Sequence, residues 1–275
     1  LDMAAAAARQ ALEGLDVSLV GAVVVSTITP DYLTPSLACL LQRELGLSEE
    51  IAAMDINCAC AGYVMALKTA HALLSDMPGR IALVVGCEML SRITDYADRS
   101  TCVLFGDGAG AAVIRRDEAG TFEFYCGARG GEEQLSCRAA YLSNSPHVRR
   151  LGDGAYGAIQ MNGSEVFRFA VEVCVRGVTK TLSDAGKAPS EAEHYIFHQA
   201  NRRIIDGIVP RLGIEHEKCL INIEKYGNTS SATCAIALDE LFRSGKVRPG
   251  DGIILSAFGG GLSFATAYFV QNGEV

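Results

Sequence analysis

Apolar and polar residues form segments of two alternating kinds in the first third of the chain. Apolar runs, typical of strands that are buried on both faces, occupy residues 20–25 and 81–85, and residues 52–56, apolar except for Asp55, also have the pattern of a strand. Helix-like segments, with Pro35 at one helix start and Gly46 after its end, occupy residues 1–12, 35–44 and 61–74. Strands separated by helices in this way predict an α/β fold whose parallel strands are covered on both faces.

A second series with the same order occupies the last third of the chain. It predicts strands at 195–197, 220–223 and 253–257, with helices at 200–212 and 231–243. The matching order and spacing predict an internal duplication, which would bring the carboxyl ends of corresponding strands together. Residues 127–157 show no clear period and predict a long connection. We therefore divide the chain into an N-terminal half (1–125), a connecting segment (126–160) and a C-terminal half (161–275).

The composition excludes several classes of protein. The chain has 275 residues, of which 49% are hydrophobic and 20% charged, so it can bury a large core. Its net charge of −8 disfavours nucleic acid and anionic membrane surfaces as partners. No signal segment follows Leu1, and no apolar run is long enough for a membrane span. Ten cysteines, mostly within apolar runs, predict buried thiols in a reducing compartment and hence a cytoplasmic protein.

Cys60 stands where the strand predicted at 52–56 passes into a helix. A thiol at a helix N-terminus meets free N–H groups and the positive end of the helix dipole, which favour the thiolate. Its neighbours are small, so a substrate carbonyl can approach the sulfur. The alternative is that Cys58 and Cys60 are ordinary buried thiols. A metal site is disfavoured, because no second Cys or His pair stands at the spacing that zinc requires.

His198 ends the strand predicted at 195–197, where a side chain can point into a crevice. A buried histidine that stands alone is more often structural than catalytic. The other histidines lie in less suggestive places: His71 in a helix, His147 in the connecting segment, and His194 and His216 among charged residues, where we expect exposure to solvent.

Two further segments of the second half are candidates for the same site. Asn228 lies in a turn of small polar residues before a helix, where it is either a cap or a functional residue. Three glycines at 259–261 follow the strand predicted at 253–257 and leave their backbone N–H groups accessible, as an oxyanion hole requires. They are not a phosphate loop, since no Lys-Ser/Thr pair follows.

Taken together, these residues resemble the β-ketoacyl-acyl carrier protein synthase III family of the thiolase superfamily. The resemblance extends over the whole chain and is carried by six motifs in order: 57–62 (NCACAG), 105–110 (FGDGAG), 163–167 (GSEVF), 198–201 (HQAN), 227–230 (GNTS) and 258–261 (FGGG). It implies a thiolase-like duplicated α/β fold with αβαβα layers. It also implies an acyltransferase that initiates fatty acid biosynthesis.

The resemblance assigns roles to residues of this chain. Cys60 would take an acyl group from acyl-coenzyme A, with the N–H groups of Cys60 and Gly260 as the oxyanion hole. Malonyl-acyl carrier protein would then lose carbon dioxide, and His198 and Asn228 would donate hydrogen bonds to its thioester carbonyl. No metal and no cofactor is implied beyond the coenzyme A thioester that serves as substrate.

Further expectations concern partners. Thr34 stands where many relatives carry Phe at the end of the acyl pocket of the neighbouring subunit, so a homodimer with a longer pocket is implied. Arg202, Arg203 and Arg211 are expected to dock the acidic carrier protein, although each taken singly is as well explained as part of a solvated helix face. The family also has an N-terminal stretch before the position of Leu1, with a Trp-Ile-x-x-Arg-Thr-Gly-like segment that helps bind coenzyme A. This chain contains no tryptophan, so we expect the coenzyme A site to be incomplete.

Other functions are less well supported. A polyketide or quinolone-type ketosynthase of the same superfamily is the main alternative. A thiolase is disfavoured, because its final glycine loop carries a second cysteine that 258–261 lacks. A papain-like protease has Cys, His and Asn in this order but also a Cys-Gly-Ser-Cys-Trp-like signature that is missing here. An inactive or truncated partner subunit is the alternative from outside the enzymes.

Overall fold

The structure, a computed structural model, describes residues 1–117, 120–139 and 157–272. The elements up to residue 117 are α1 (Asp2–Ala11), β1 (Val20–Ser26), α2 (Leu37–Glu44), β2 (Ala52–Ile56), α3 (Gly62–Leu73), β3 (Ile81–Met89) and β4 (Asp107–Arg115). The later elements are β5 (Phe122–Ala128), β6 (Leu135–Cys137), β7 (Ile159–Met161), α4 (Gly163–Asp184), β8 (His194–Phe197), α5 (Arg202–Leu212), α6 (Ile223–Tyr226), α7 (Ala232–Arg243), β9 (Gly252–Gly259) and β10 (Ser263–Val270).

Two four-stranded sheets form the framework. The first has the strand order β2-β1-β3-β4 and the second β5-β10-β9-β8. In the first sheet β1 and β3 are parallel and β4 is antiparallel to β3. In the second, β8 and β9 are parallel and β10 is antiparallel to β9. This shared pattern confirms the predicted duplication. The sheets differ at both edges. In the described chain β2 lies outside β1 while no strand lies outside β8, and β5 lies outside β10 while no strand lies outside β4.

Five layers result from packing the helices on these sheets. Side chains alternate between the faces of a strand, so Val24 of β1 faces the central core with α3 and α7, while Val23 and Val25 face α1 and α2. In the second sheet Leu255 of β9 faces the same central core, and Ile254 faces α4 and α5. The order of layers is therefore αβαβα, as the family resemblance implies.

The prediction of a strand at 220–223 is wrong. One backbone bond joins this segment to β8, from Leu220 N–H to Tyr195 O at 3.0 Å. The side chain of Gln199 then takes the place of a strand backbone, because its Nε2 donates to Leu220 O and its Oε1 accepts from Asn222 N–H at 3.1 Å. The chain turns into α6 directly afterwards, at Ile223.

The remaining elements differ from the predictions in detail. The strand that the sequence predicts directly after the glycine loop is confirmed as β10, whereas β4, β5 and the long helix α4 were not predicted. β5 crosses the predicted boundary between residues 125 and 126 and pairs with β10 of the second sheet. The division of the chain at this boundary remains a prediction. The unstructured connection expected over 127–157 contains β6, which pairs with β7. Most of the rest of that connection, with His147, lies outside the described residues.

Two expectations about polar side chains are corrected. All ten cysteines are free thiols, but only five of them are buried: Cys60, Cys87, Cys174, Cys219 and Cys234. His194 is largely shielded from solvent, because its Nε2 pairs with Asp251 Oδ2 at 2.9 Å. None of the helices in the described part of the chain has the length and apolar character that crossing a membrane requires.

Candidate active site

Cys60 lies between the two sheets, in the turn that joins β2 to α3. The backbone reverses at Ala59, whose φ of +44° falls in the left-handed region, and Cys60 follows in the 3-10 turn Ala59–Ala61. The end of β9 packs directly on this turn. A Cβ atom at Gly259 would lie 2.6 Å from Cys60 N, so only glycine permits this approach. The predicted junction is confirmed, with a 3-10 turn before the helix.

The electrostatics of Cys60 differ from the expectation of a thiolate at a helix N-terminus. Burial raises the pKa of the thiol to about 12, the Ser230 hydroxyl lowers this pKa, and the Glu88 carboxylate raises it. Desolvation of the charged form is the largest of these effects. At neutral pH the thiol is therefore protonated.

His198 follows the last residue of β8, and its backbone N–H donates to Ser256 O at 2.9 Å. Its ring is buried edge-on against Phe258, with centroids 5.2 Å apart. Nδ1 lies 2.6 Å from Thr233 Oγ1. Burial lowers the pKa of the ring to about 3, so the imidazole is neutral at physiological pH and carries one N–H.

Asn228 is held from both sides by backbone atoms. Its N–H donates to Leu104 O at 2.8 Å, and its carbonyl accepts from Gly106 N–H at 3.0 Å. The side-chain oxygen Oδ1 accepts from Ser230 N–H at 2.8 Å. Because a backbone N–H can bond only to the oxygen of the amide, this bond identifies Oδ1 and leaves Nδ2 as the free donor. The motif at 105–110 thus has a physical role, which is to hold Asn228.

Ser230 connects all three candidate residues. Its N–H binds Asn228, its carbonyl accepts from Thr233 N–H and lies 3.0 Å from Thr233 Oγ1, and Thr233 contacts His198. Its buried hydroxyl faces Cys60 but forms no full hydrogen bond with any described residue. Its φ of +50° is unusual for a residue with a side chain, which indicates that the surrounding contacts hold it in place. The structure therefore brings Cys60, His198 and Asn228 into one cluster.

Glu88 anchors this cluster to the first sheet. It is fully buried, and its carboxylate accepts from Ser231 Oγ at 3.0 Å, Ile28 N–H at 3.0 Å and Thr29 Oγ1 at 2.8 Å. Burial raises the pKa of the carboxyl group, and these donors lower it. Because Ser231 immediately precedes α7, Glu88 ties the loop that carries Asn228 to β3.

The glycine loop between β9 and β10 borders Cys60 on the other side. A Cβ atom at Gly260 would lie 3.6 Å from the Ala59 side chain, so the two turns are in contact. Gly260 O accepts from Ser263 Oγ at 3.0 Å, and the Gly260 N–H makes no hydrogen bond to any other described residue. This N–H is therefore available to a substrate oxygen.

Comparisons with known proteins agree with this geometry. Family models described as 3-oxoacyl-[acyl-carrier-protein] synthase III and its C-terminal part match residues 54–130 and 182–270. A β-ketoacyl-[acyl-carrier-protein] synthase III of Clostridium beijerinckii is 44% identical over 267 residues, which is 96% of this chain and 82% of that protein. The chain belongs to the β-ketoacyl-[acyl-carrier-protein] synthase III family. It is accordingly a condensing enzyme of the acyltransferase type.

Solved structures of synthase III enzymes show the same fold. The enzyme of Pseudomonas aeruginosa superposes with a TM-score of 0.89 at 33% identity, covering 100% of this chain and 84% of that one. The enzyme of Thermus thermophilus superposes with a TM-score of 0.84 at 40% identity, covering 96% and 79% of the two chains.

The other residues predicted for the synthase site lie outside the cluster around Ser230. Thr34 is exposed in the loop between β1 and α2. Arg202, Arg203 and Arg211 all lie on α5, the helix that starts just after His198. The sequence analysis assigned no role to Ser230, Thr233 or Glu88. A signal existed for Glu88, the single charged residue in the apolar segment 81–90.

Proposed function

We propose that this chain condenses an acyl-coenzyme A starter with malonyl-acyl carrier protein, with loss of carbon dioxide, and so initiates fatty acid synthesis. The observation that supports this most directly is the cluster around Ser230, in which a nucleophile from one half of the fold faces two hydrogen-bond donors from the other. No cofactor is needed beyond the coenzyme A thioester.

In the first step the sulfur of Cys60 attacks the thioester carbonyl of the acyl-coenzyme A. The bond from that carbonyl to the coenzyme A sulfur breaks, and coenzyme A leaves as a thiol with the proton that Cys60 loses. The N–H groups of Cys60 and Gly260 stabilise the oxyanion that forms in between. Contact between the two turns supports this pairing.

In the second step the malonyl group loses carbon dioxide, and an enolate develops on its thioester. Two donors stabilise the enolate oxygen: His198 Nε2 and Asn228 Nδ2. The enolate carbon then forms a bond to the acyl carbonyl, and the Cys60 sulfur leaves and takes up a proton from solvent. His198 suits this role, because its lowered pKa keeps the ring neutral. A neutral ring donates a hydrogen bond to the enolate oxygen without transferring a proton to the enolate.

Carrier-protein docking involves the exposed face of α5. Arg202 is engaged by Glu224 at 2.9 Å, and Arg211 donates to Gly207 O. Arg203, in contrast, makes no ion pair with any described residue and stays available for an acidic partner. Since α5 begins four residues after His198, a carrier bound there lies close to the site.

A homodimer is supported by the loop that carries Thr34. Two neighbouring apolar side chains project from this loop, Tyr32 and Leu33, of which Leu33 is 92% exposed. Apolar side chains of this kind mark interaction surfaces. We place them, and Thr34, against a second copy of the chain, and the molar mass in solution tests this arrangement.

A polyketide pathway is the second candidate. A priming β-ketosynthase from the R1128 polyketide biosynthetic pathway superposes with a TM-score of 0.87 at 37% identity, within the range found for the synthases of fatty acid synthesis. The same residues would perform the same two steps there, and the starter acyl group would distinguish the two.

Mass spectrometry of the protein after incubation with acyl-coenzyme A donors of increasing chain length tests the proposal. We expect one acyl adduct on the wild type and none on Cys60→Ala. The control Cys174→Ala, which removes another buried thiol, on α4, should also carry one adduct. Asn228→Ala should still form the adduct but release carbon dioxide from malonyl-acyl carrier protein about 100-fold more slowly. If no donor gives an adduct on the wild type, the proposal is wrong.

A further inference from the structure

The hydrogen bond between Thr233 and His198 bears on where the histidine proton resides. The buried ring carries one N–H, which is either on Nδ1 or on Nε2. Nδ1 lies 2.6 Å from Thr233 Oγ1, and the same Oγ1 lies 3.0 Å from Ser230 O. The hydroxyl has one hydrogen and thus a choice between two acceptors.

Each choice fixes the histidine tautomer. If Thr233 donates to Ser230 O, Nδ1 must carry the ring proton and donate to Thr233, which leaves Nε2 without a hydrogen. If Thr233 donates to Nδ1, the ring proton is on Nε2, which then points a donor at the substrate. The second arrangement leaves both Nδ1 and Ser230 O with a donor, since Ser230 O still accepts from the Thr233 N–H at 3.2 Å.

We propose that Thr233 is a positioning residue that keeps the ring proton of His198 on Nε2 by donating its hydroxyl hydrogen to Nδ1. This inference rests on the proposed function, in which Nε2–H donates to the malonyl thioester. Thr233 is itself buried in the first turn of α7, and the bond from its N–H to Ser230 O fixes its position. Its hydroxyl therefore acts through His198 and does not touch the substrate.

Thr233→Val, which replaces the hydroxyl by a methyl group of similar size, tests the proposal. Without a donor to Nδ1, the proton is expected to move to Nδ1. Decarboxylation of malonyl-acyl carrier protein should fall about 100-fold, at the lower end of the range for loss of one donor to a developing oxyanion. Acylation of Cys60 should change less than about 3-fold, since its oxyanion donors are backbone N–H groups. Thr233→Ser keeps the hydroxyl and should restore decarboxylation.

The tautomer is read directly by nitrogen NMR of the full chain labelled with ¹⁵N-histidine, with His198→Asn to assign the signal. We expect an Nε2–H ring in the wild type and in Thr233→Ser, and an Nδ1–H ring in Thr233→Val. Thr69→Val is the matched control, because it removes a helix hydroxyl that donates to a backbone carbonyl, Met65 O, away from the site. It should leave both rate and tautomer unchanged.

Three results would overturn the inference. The first is a wild-type ring with its proton on Nδ1. The second is a Thr233→Val protein that keeps both the Nε2–H signal and the wild-type rate. The third is a slow Thr233→Val protein that Thr233→Ser does not rescue, which would assign the loss to packing of the methyl group. Failure of the wild type to decarboxylate malonyl-acyl carrier protein would instead refute the proposed function, and the NMR result would still decide the role of Thr233.

Discussion

A methyl group added at Gly86 should disturb the part of the site that carries Asn228 and leave the part that carries Cys60 unchanged. Gly86 in β3 and Gly110 in β4 are direct partners across the first sheet, and the first turn of α7 rests on them. A Cβ atom at Gly86 would lie 2.9 Å from Ser231 O and 3.1 Å from Ala232 Cα. Both neighbours are backbone atoms, so the start of α7 itself must move in Gly86→Ala.

The size of the effect follows from that distance. The contact is about 0.5 Å shorter than ordinary van der Waals separation, and overpacking of this kind costs about 1–3 kcal/mol. The lower entropy of alanine in the unfolded chain offsets about 0.5–1 kcal/mol. We therefore expect Gly86→Ala to lower the free energy of unfolding by about 1–2 kcal/mol. A displacement of about 1 Å costs about 100-fold in rate, so half of it should slow decarboxylation about 10-fold through Asn228.

Urea unfolding and the two half-reactions measure these effects. Acylation of Cys60 should change little, because the turn that carries Cys60 packs on Gly259 and not on Gly86. Gly163→Ala is the control, since a Cβ atom there meets nothing within 4 Å. The reasoning is refuted if Gly86→Ala matches Gly163→Ala both in free energy of unfolding and in decarboxylation rate, because the close approach of α7 would then have no cost.

Three further predictions concern charge. The pKa of about 12 at Cys60 predicts that its alkylation by iodoacetamide rises about tenfold per pH unit from pH 7 to 10, whereas a plateau near pH 7 would indicate a stabilised thiolate. Burial lowers the pKa of His198 to about 3 while the unfolded ring titrates near 6.5, so below about pH 6.5 the unfolded state binds the extra proton and the free energy of unfolding falls by up to about 1.4 kcal/mol per pH unit. Measured by urea unfolding, the free energy of unfolding should fall more steeply with decreasing pH between about 6.5 and 4 in the wild type than in His198→Gln. Parallel pH dependences would contradict this. Arg203→Glu should raise KM for malonyl-acyl carrier protein about tenfold at low salt, and Arg43→Glu on the opposite outer layer should not; equal KM values for the two variants would argue against docking on α5.

The sequence predicts the buried strands well because burial on both faces leaves an unbroken apolar run. β1 is such a run, and its predicted bounds agree with the structure to within one residue. β2 contains Asp55 and is only half-buried, yet its bounds are also those predicted, 52–56. β4 lacks this signal, since its glycines and alanines provide room for α7 and resemble a loop in composition. The strand predicted at 220–223 fails for a different reason, because a side chain, that of Gln199, supplies the hydrogen bonds of a missing strand. Such substitution leaves no periodic pattern.

The candidate site divides in the same way. Cys60, His198 and Asn228 are each recognisable because each stands where a strand or turn passes into a helix, a position that the linear sequence shows. Glu88 and Ser231 are joined across 143 residues, and no local pattern indicates that contact. Ser230 is harder still, because its importance comes from its left-handed backbone and from three contacts made by three different groups.

The duplicated fold explains why neither half can hold this site alone. The turn before central helix α3 carries Cys60, and the corresponding turn before α7 carries Asn228 and Ser230. The strand β1 ends next to Thr27, which donates a hydrogen bond to Glu88, whereas its counterpart β8 ends next to His198. The first half thus supplies the nucleophile and an anchoring carboxylate, and the second supplies the donors. Because Ser230 faces Cys60 while Ser231 binds Glu88, the catalytic geometry depends on how the two halves pack, and substitutions at that packing surface should affect decarboxylation more than acylation.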